Sequence, residues 1–491
     1  MDYLDPKKHR RHTILLLTGY ILITIAIIIG TTVLVYQANG FGVAKDGTVI
    51  QNGLLFFSSQ PNPAQIYIDG KRYKADTNTR VTLPADIYKF ELRRSGYQTW
   101  KRTISVPGGQ ILSFDYPLLI PNKLSPVKLA DYTSAPALAT QSPDRRWIVI
   151  AKAGSLSEFD VYDTRDLTKA PVSISLPTGV LTTATGAQTL ELSEWSTDNS
   201  HFLVKHHYDN KTEYILINRE SPTDSVNLSS VITGSFTELK LLDRKYDHYL
   251  VYNRADQSLK KATLSQPTPT AYLTNVLAYQ SYSDDMMLYA TPGSEADKVA
   301  IRLLQGTHTY TIRSLDTSAT YLLDLTKFNN TLYVAAGASA DNRVFIYKDP
   351  IGQINSQNLT AAAPEQVLRV TAPNFMKFSD NTQYIMIENG TSFAVYDLKN
   401  LNRYTYTTGQ PLDSPQIHAT WMDGNRLTYV SGGKQLIFDY DHLNAHSLSP
   451  AAGSYLSFYT QNYNSTLTLA PAANGTAYSF QRTPLLIPAD Q

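Results

Sequence analysis

Ser142–Lys152 reads SPDRRWIVIAK, and Phe159–Leu167 follows it as FDVYDTRDL. The first stretch sets a polar turn before a run of β-branched and aromatic residues, and the second stretch is another such run. Residues of that kind favour strands, whereas Ser, Pro and Asp favour turns. The arrangement returns at Trp195–His207 as WSTDNSHFLVKHH and at Phe378–Glu388 as FSDNTQYIMIE. The chain is therefore expected to repeat one unit of turns and strands.

Eight copies of this turn can be followed along the chain. Their turn positions are Asp144, Asp198, Asp247, Asp285, Asn330, Asn381, Gly424 and Asn464. The mean spacing is roughly 46 residues, and a period of about 40–50 residues with four short strands is typical of β-propeller blades. One blade cannot bury both of its faces, but blades stacked in a ring bury each face on a neighbour. We expect a β-propeller over residues 126–491, with about eight blades; seven is the alternative, because the repeat at Asp247 is weak.

The turns also carry a resemblance at motif level. SPDRRW, WSTDN and FSDN resemble the S-P-D-G turn of TolB-type and related WD40-like propellers. The Gly that follows Asp in that turn is mostly replaced here, and the WD and GH dipeptides of WD40 repeats are absent. Closing the ring would protect its edge strands. We expect the closing pair to be a strand near Val127–Ala130 with one near Tyr478–Gln481.

The segment Thr13–Tyr36 contains no charged residue in 24 positions. At about 1.5 Å per residue it forms a helix of roughly 36 Å, long enough for a hydrocarbon core of about 30 Å. Four cations precede it: Lys7, Lys8, Arg10 and Arg11. After it, the first cations are Lys45 and Lys71. The positive-inside rule then predicts a cytoplasmic tail at residues 1–12, a single transmembrane helix at 13–36 and an extracytoplasmic bulk of the chain.

A cleaved signal peptide is the alternative for this segment. Signal peptides have an apolar stretch of about 7–15 residues that ends at a site of the A-x-A kind. Here the apolar run is longer, and Tyr36-Gln37-Ala38 fits that site poorly, so a retained anchor in the cell membrane is favoured. Residues 37–53 contain Gly and Asn and few large apolar residues, which is typical of a short linker.

Residues 54–120 alternate polar and apolar positions in several short stretches. Gln65–Ile68 is followed by the turn dipeptide Asp69-Gly70. Ile87–Arg93 alternates in polarity, which predicts a strand with one solvent-exposed face. About five to seven short strands in this segment indicate a small antiparallel β-sandwich.

This segment resembles the PEGA domain, a small β module of bacterial and archaeal surface proteins. The resemblance is carried by PNPA at 61–64, IYIDG at 66–70 and SGY at 95–97. Its motif residues are Pro61, Ala64, Asp69, Gly70, Gly96 and Tyr97. Pro63 and Asp86 stand where the family has glycine, so we expect those turns to differ in backbone geometry. The resemblance implies a non-enzymatic module of a bacterial envelope protein.

The PEGA-like segment is basic. Between Pro61 and Arg102 it holds nine Lys and Arg against four Asp and Glu, whereas the whole chain has a net charge of only +1. A basic face beside a membrane could rest on anionic lipid or on a wall polymer. The alternative is a solvated strand face without a ligand, and both interpretations stay open at this point.

Composition and motifs exclude several classes of function. The chain has no Cys, which excludes disulfides, thiolate nucleophiles and thiolate metal sites. Lys and Arg number 43 against 42 Asp and Glu, so there is no electrostatic reason to expect nucleic-acid binding. No G-x-S-x-G, H-E-x-x-H, P-loop, EF-hand or G-x-G-x-x-G motif is present. We therefore expect no catalytic residues, no cofactor and no metal site.

Several side chains that could carry chemistry have a simpler structural interpretation. His206 and His207 are adjacent on a predicted strand, so they point to opposite faces, and we expect surface positions for them. Trp195 and Trp421 precede turn residues, and we expect them to pack inside blades rather than to stack on a glycan. Four turn aspartates recur at equivalent places and are expected to be structural: Asp144, Asp198, Asp285 and Asp380.

These observations predict a single-pass cell-envelope protein with an all-β ectodomain. Its β-propeller would serve as a non-catalytic binding platform for a protein or a glycan, carried on a PEGA-like spacer. Propellers bind ligands where blade loops converge, on the flat face or in the central channel. One alternative is a propeller enzyme that acts on envelope glycans or peptides, and another is a structural component of a surface coat.

Overall fold

A computed structural model describes four stretches of the chain: residues 6–38, 40–43, 49–472 and 475–488. They divide into two units. Met1–Asn122 and Ile487–Asp490 form the first unit, and Lys123–Leu486 forms the bulk of the second.

The first unit begins with one long helix, α1, at Pro6–Ala38. Its large apolar side chains are exposed. The hydroxyls of Thr18, Thr24 and Thr32 donate to carbonyls four residues earlier at 2.7–2.8 Å, so these polar groups are satisfied within the helix. α1 is long and apolar enough to cross a membrane, a property that a signal sequence shares. It extends beyond the expected 13–36 because the flanking Lys, Arg and Gln residues are good helix formers.

Eight strands follow α1 in the described part of the first unit: β1 (Phe41–Val43), β2 (Val49–Phe57), β3 (Gln65–Ile68), β4 (Lys71–Asp76), β5 (Thr79–Pro84), β6 (Asp86–Arg93), β7 (Trp100–Val106) and β8 (Ile111–Phe114). One sheet has the order β4-β3-β6-β7, and the other joins β1, β5 and β8 to β2. β2 and β8 are parallel, so the expected antiparallel arrangement is wrong for this pair. The chain passes through the other sheet before it returns as β8, and such a crossover permits a parallel neighbour.

Residues 37–53, expected to be a linker, take part in regular structure. Gln37 belongs to α1, β1 begins at Phe41 and β2 begins at Val49, while residues 39 and 44–48 lie outside the described residues. The N–H of Asn52 donates to the carbonyl of Gly40 at 2.7 Å. The first sheet therefore starts within a few residues of the end of α1.

The two sheets of the first unit enclose one apolar core. β7 alternates strictly between buried and exposed positions, which directs Trp100 and Ile104 inward. Phe57 and Phe90 meet them from the two sheets, with ring centroids 4.8 Å apart. Ile487 also packs against this core, so the unit draws on a residue from the far end of the chain.

The second unit contains eight four-stranded antiparallel sheets among its described residues. Each sheet is one blade, numbered here in chain order. Blades 1 to 4 consist of β10 (Ala139–Gln141), β11 (Trp147–Ala151), β12 (Glu158–Asp163), β13 (Val172–Ser175); β14 (Gln188–Trp195), β15 (His201–Tyr208), β16 (Lys211–Asn218), β17 (Val226–Asn227); β18 (Glu238–Leu241), β19 (His248–Asn253), β20 (Ser258–Thr263), β21 (Thr270–Leu273); and β22 (Ala278–Ser283), β23 (Met286–Pro292), β24 (Lys298–Gln305), β25 (His308–Asp316).

Blades 5 to 8 continue the pattern. They consist of β26 (Tyr321–Phe328), β27 (Thr331–Ala338), β28 (Arg343–Lys348), β29 (Gln366–Arg369); β30 (Phe375–Phe378), β31 (Tyr384–Glu388), β32 (Ser392–Asp397), β33 (Asn402–Thr407); β34 (Thr420–Trp421), β35 (Arg426–Ser431), β36 (Lys434–Asp439), β37 (His446–Pro450); and β38 (Phe458–Tyr459), β39 (Ser465–Pro471), β40 (Tyr478–Pro484) with β9 (Val127–Tyr132). Short helices lie between strands: α2 (Leu228–Val231), α3 (Pro350–Gln357) and three 3-10 turns at Pro222–Asp224, Leu242–Arg244 and Ser339–Asp341.

The ring closes through β9, which precedes the first blade in sequence but forms the outermost strand of blade 8. It pairs antiparallel with β40, with Ala130 opposite Phe480 and Tyr132 opposite Tyr478. The predicted closing pair and the prediction of eight blades are confirmed. All eight predicted turn positions fall between the first and second strands of a blade.

Apolar clusters fill the spaces between neighbouring blades. Phe202 and Ile215 of blade 2 pack against Phe159 of blade 1, and Ile150 of blade 1 packs against Phe480 of blade 8. Because the last blade packs on the first, the ring leaves no blade face without a neighbour at this junction.

Candidate functional site

First strands of neighbouring blades lie against one another in blades 2 and 3, 4 and 5, and 5 and 6. We infer that the first strands surround the centre of the propeller. A cavity of about 560 Å³ opens there, lined by side chains from blades 2, 4, 5, 6, 7 and 8. We call it the channel cavity. Its most informative lining residues are Gln280, Asp324, Phe375, Lys377, His418 and Trp421.

Two rings form a flat wall in the channel cavity. Phe375 at the start of β30 and His418 before β34 stack with centroids 4.3 Å apart and planes within 5°. Alternation along β30 directs Phe375 and Lys377 to the same side, while Phe378 is buried. The wall therefore combines an aromatic surface with a cation on the next channel-facing position.

His418 is oriented from behind by a buried carboxylate. Its Nδ1 lies 2.7 Å from Oε1 of Glu388, which is fully buried at the end of β31. The contact with Glu388 occupies Nδ1, and Nε2 forms no hydrogen bond within the described residues. The N–H of Gly390 also donates to Glu388, so the buried acid has two donors.

Asp324 on β26 adds a carboxylate to the same cavity. It accepts from the N–H groups of Phe378 and Leu325, each at 3.0 Å. Burial raises the pKa of Asp324 above its ordinary value, and the charge of Lys377 opposes that shift in part. Glu194 on blade 2 makes an equivalent contact, because it accepts a hydrogen bond from the N–H of Leu241 on blade 3. Burial also raises the pKa of Glu194.

One end of the channel is crossed by Arg145. This side chain extends from the first turn of blade 1 to the carboxylate of Asp380 on blade 6, and it donates to the carbonyl of Met422 on blade 7 at 3.3 Å. Its guanidinium lies 4.8 Å from the ring centroid of Tyr463 on blade 8. Blades 1 and 6 are not neighbours, so Arg145 spans the end of the channel where the first turns gather.

The turn aspartates do differ from one another. Asp144 accepts from the N–H of Arg146 at 3.0 Å, and Asp198 accepts from the N–H of Ser200 at 2.9 Å. These two stabilise their own turns. Asp380 instead binds Arg145 and lines the channel cavity, so it has a role between blades that the repeat pattern did not reveal.

Trp195 and Trp421 occupy equivalent places at the ends of β14 and β34. The indole of Trp195 donates to Oγ1 of Thr140 at 2.8 Å, and that of Trp421 donates to the carbonyl of Lys377 at 3.1 Å. Both rings are buried. Each indole therefore ties its blade to the preceding one, and Trp421 also borders the channel cavity.

The expectation of a surface position is wrong for His206. Its side chain is fully buried, with Nδ1 2.8 Å from Glu213 and Nε2 2.9 Å from Gln188. His207 points to the other face, as predicted, and contacts Oγ1 of Thr212 at 2.9 Å. A buried histidine is stabilised here because both ring nitrogens have polar partners.

The residues of the topology signal and of the PEGA-like motif lie in the first unit. Lys7, Lys8, Arg10 and Arg11 belong to the start of α1, where Arg10 and Arg11 are exposed. Asp69 and Gly70 form the β3–β4 turn with positive φ, and Gly96 has a φ of 85°. Pro61, Ala64 and Tyr97 are buried, and the hydroxyl of Tyr97 accepts from the N–H of Ile487 at 2.7 Å.

Sequence reasoning missed the pairing of Glu388 with His418 and the stacking of His418 on Phe375. These residues come from different blades and from a loop without a motif, so no spacing in the sequence connects them. One signal was available: Glu388 ends the apolar run YIMIE, where a charged residue on a buried strand requires a partner.

Comparisons with known proteins match one segment of the chain to a family. Residues 52–120 match the PEGA domain family, and no curated protein shows significant sequence similarity to the chain. Among solved structures, the Dos1 propeller is 11% identical with a TM-score of 0.44, covering 74% of this chain and 95% of its own. An oligogalacturonate lyase in complex with manganese is 10% identical with a TM-score of 0.40, covering 75% and 99%.

Hsv2p of Kluyveromyces lactis is 10% identical with a TM-score of 0.39, covering 72% of this chain and 100% of its own. Likeness at this level carries no conclusion about activity or ligand. The chain contains a PEGA domain at residues 52–120, which follows an N-terminal apolar helix and precedes an eight-bladed β-propeller.

Proposed function

We propose that this protein is a non-catalytic binding platform of the cell envelope. α1 anchors it in the cell membrane with the N-terminus in the cytoplasm, and the PEGA domain carries the propeller outside. The propeller holds a protein segment or a glycan in the channel cavity. The observation that supports this most directly is the wall of Phe375 and His418, which presents an aromatic face beside an imidazole nitrogen, Nε2, that has no hydrogen-bond partner among the described residues.

The chemistry of the cavity suits a ligand with an apolar face and several hydrogen-bonding groups. Phe375 supplies the apolar surface, while Gln280, Lys377 and Asp324 supply an amide, a cation and a carboxylate. Binding sites commonly combine apolar walls with a few placed polar groups in this way. Arg145 crosses one end of the channel, so the ligand enters from the other end.

Crosslinking to isolated envelopes of the source organism tests this function. Full-length protein in mild detergent is incubated with the envelopes, and the crosslinked species are identified by mass spectrometry. We expect one or a few discrete partners, lost with Phe375→Ala and with His418→Ala. His207→Ala is the matched control, because His207 lies on β15 away from the channel cavity and should bind as the unaltered protein does. Equal capture by all of these proteins would refute a role for the cavity.

A second candidate function, an enzyme that acts on envelope glycans or peptides, is favoured by Asp324. A carboxyl whose pKa is raised in a cavity is a candidate general acid. Turnover of envelope material by the full-length protein, abolished in Asp324→Asn, would establish this function. Binding without turnover would leave the platform as the function.

A further inference from the structure

Three apolar side chains on the strands of the first unit are more exposed than is usual for large aliphatic residues. Val49 is 64% exposed, Ile87 is 65% exposed and Ile111 is 68% exposed. They belong to three different strands, β2, β6 and β8.

Hydrogen bonds place all three in the same half of the sandwich, with Ile87 and Ile111 on the outer faces of its two sheets. The N–H of Ala85 donates to the carbonyl of Gln51 at 3.0 Å, which sets the start of β6 beside the start of β2. The N–H of Gly109 donates to the carbonyl of Asn52 at 2.9 Å, and Ile111 pairs with Leu54. We call this half, defined by Val49, Ile87 and Ile111, the juxtamembrane end.

The juxtamembrane end adjoins the last turn of α1. Gly40 accepts from the N–H of Asn52 at 2.7 Å, and the rings of Tyr36 and Phe41 lie 5.1 Å apart. The three residue steps from Ala38 to Phe41 can span at most about 10 Å. The headgroup layer on each side of a bilayer is itself roughly 5–8 Å thick, so a domain tethered this closely cannot stand clear of it.

Cations accompany the apolar residues. Lys89 follows Ile87 by two positions on β6, so both side chains are on the same face. Lys71, the first residue of β4, pairs with Ile68 on β3. Ile68 in turn pairs with Phe90 on β6, so Lys71 lies near Lys89. Both lysines are exposed, and neither forms an ion pair within the part of the chain that the structure describes. An interfacial surface typically combines aliphatic residues with lysines in this way.

We propose that the juxtamembrane end lies in the headgroup layer of the bilayer, with Val49, Ile87 and Ile111 among the upper acyl chains and Lys71 and Lys89 at anionic lipid phosphates. The inference rests on the membrane anchoring that forms part of the proposed function. In this arrangement the PEGA domain contacts lipid around the end of α1 and is not a spacer held away from the membrane.

Because the chain has no Cys, single cysteines can carry a polarity-sensitive fluorophore without background labelling. Full-length Ile87→Cys and Ile111→Cys are labelled and reconstituted in nanodiscs of phosphatidylcholine, with or without a quarter of phosphatidylglycerol. The nanodiscs contain lipids that bear a spin-label quencher near the headgroup. Val172→Cys is the matched control, because Val172 is equally exposed, at 65%, on a strand of the propeller.

We expect quenching at Ile87→Cys and Ile111→Cys to be at least threefold stronger than at Val172→Cys, and stronger in the anionic nanodiscs. Leu22→Cys on α1, with a quencher deep in the acyl chains, tests the anchoring separately. Quenching at Leu22→Cys without quenching at Ile87→Cys or Ile111→Cys would overturn the lipid contact while leaving the anchor intact. Absence of quenching at Leu22→Cys as well would overturn the anchoring itself.

Discussion

At the scale of single residues, the propeller depends on side chains that satisfy polar groups between blades. Asp324 and Glu194 each accept from a backbone N–H of the following blade, and the indoles of Trp195 and Trp421 each donate to the preceding blade. The backbone hydrogen bonds within a sheet cannot satisfy these polar groups, because the groups lie between one blade and the next. Removing one partner would leave a buried polar group unpaired, which costs about 1–3 kcal/mol.

Gly96→Ala should destabilise the PEGA domain by about 2–3 kcal/mol. Gly96 has a φ of 85°, and a Cβ at this position would lie 2.7 Å from Cδ1 of Ile487. Positive φ alone costs a non-glycine residue about 1–2 kcal/mol. Gly70→Ala is the matched control, since Gly70 also has a positive φ, 78°, but open space around it. Thermal unfolding of both variants measures the difference, and equal losses would contradict a contact between Gly96 and Ile487.

Glu213→Gln should flatten the dependence of propeller stability on pH. Burial alone would raise the pKa of Glu213, but hydrogen bonds from His206, Thr182 and Asn227 outweigh it and hold the pKa below its ordinary value. A lowered pKa stabilises the fold above the unfolded-state pKa of about 4.3, and this contribution is lost as the pH falls through the folded-state pKa.

Urea unfolding of the Glu213 variant at a series of pH values from neutral downward provides the measurement. The unaltered protein should lose stability below about pH 4–5 more steeply than Glu213→Gln does. Glu220→Gln, at an exposed position of the same blade, should follow the unaltered protein. Parallel curves for all three proteins would show that Glu213 does not contribute to acid sensitivity.

At the scale of elements, β9 has a role that its place in the sequence conceals. It lies before blade 1 in the chain, yet it completes blade 8 through its ladder with β40. Tyr132 at its end is buried, and its hydroxyl lies 3.0 Å from that of Tyr162 on blade 1. The strand therefore joins the last blade to the first both through backbone pairing and through packing.

Tyr132→Ala should lower propeller stability by about 3–5 kcal/mol, the usual range for emptying a buried aromatic site. Tyr132→Phe keeps the ring and loses only the hydroxyl contact, so it should cost about 1 kcal/mol. Chemical unfolding followed by tryptophan fluorescence distinguishes the two, because Trp195 and Trp421 report on blade junctions. A loss as large for Tyr132→Phe as for Tyr132→Ala would mean that the hydroxyl contact, and not the packing of β9, holds the closure.

At the scale of the whole chain, one long apolar helix, α1, comes first, and the rest of the two units consists mainly of β-sheets. The PEGA domain takes Ile487 into its core after the propeller is complete. The propeller unit begins after Asn122, and the segment that follows it, from Ile487, belongs to the first unit again.

Removing residues 1–37 should give a protein that stays in the supernatant without detergent, whereas the full chain should sediment with membranes. The exposed apolar surface of α1 is the reason, since no described part of the protein covers it. Ultracentrifugation of both forms, with circular dichroism to check the strand content of the shortened one, provides the measurement. A shortened protein that still sediments with membranes through strong salt would point to a further apolar membrane contact, for which the juxtamembrane end is the candidate.

The repeat, the turn positions, the closing strand and the PEGA domain could be predicted from the amino-acid sequence, because they depend on local patterns of turn residues and alternating apolar residues. The channel cavity, the pairing of Glu388 with His418 and the contact of Arg145 with Asp380 became visible only in the folded chain. The same is true of the burial of His206. The physical reason is that such contacts join residues that are far apart in the chain, and only the curvature of the closed ring brings them together.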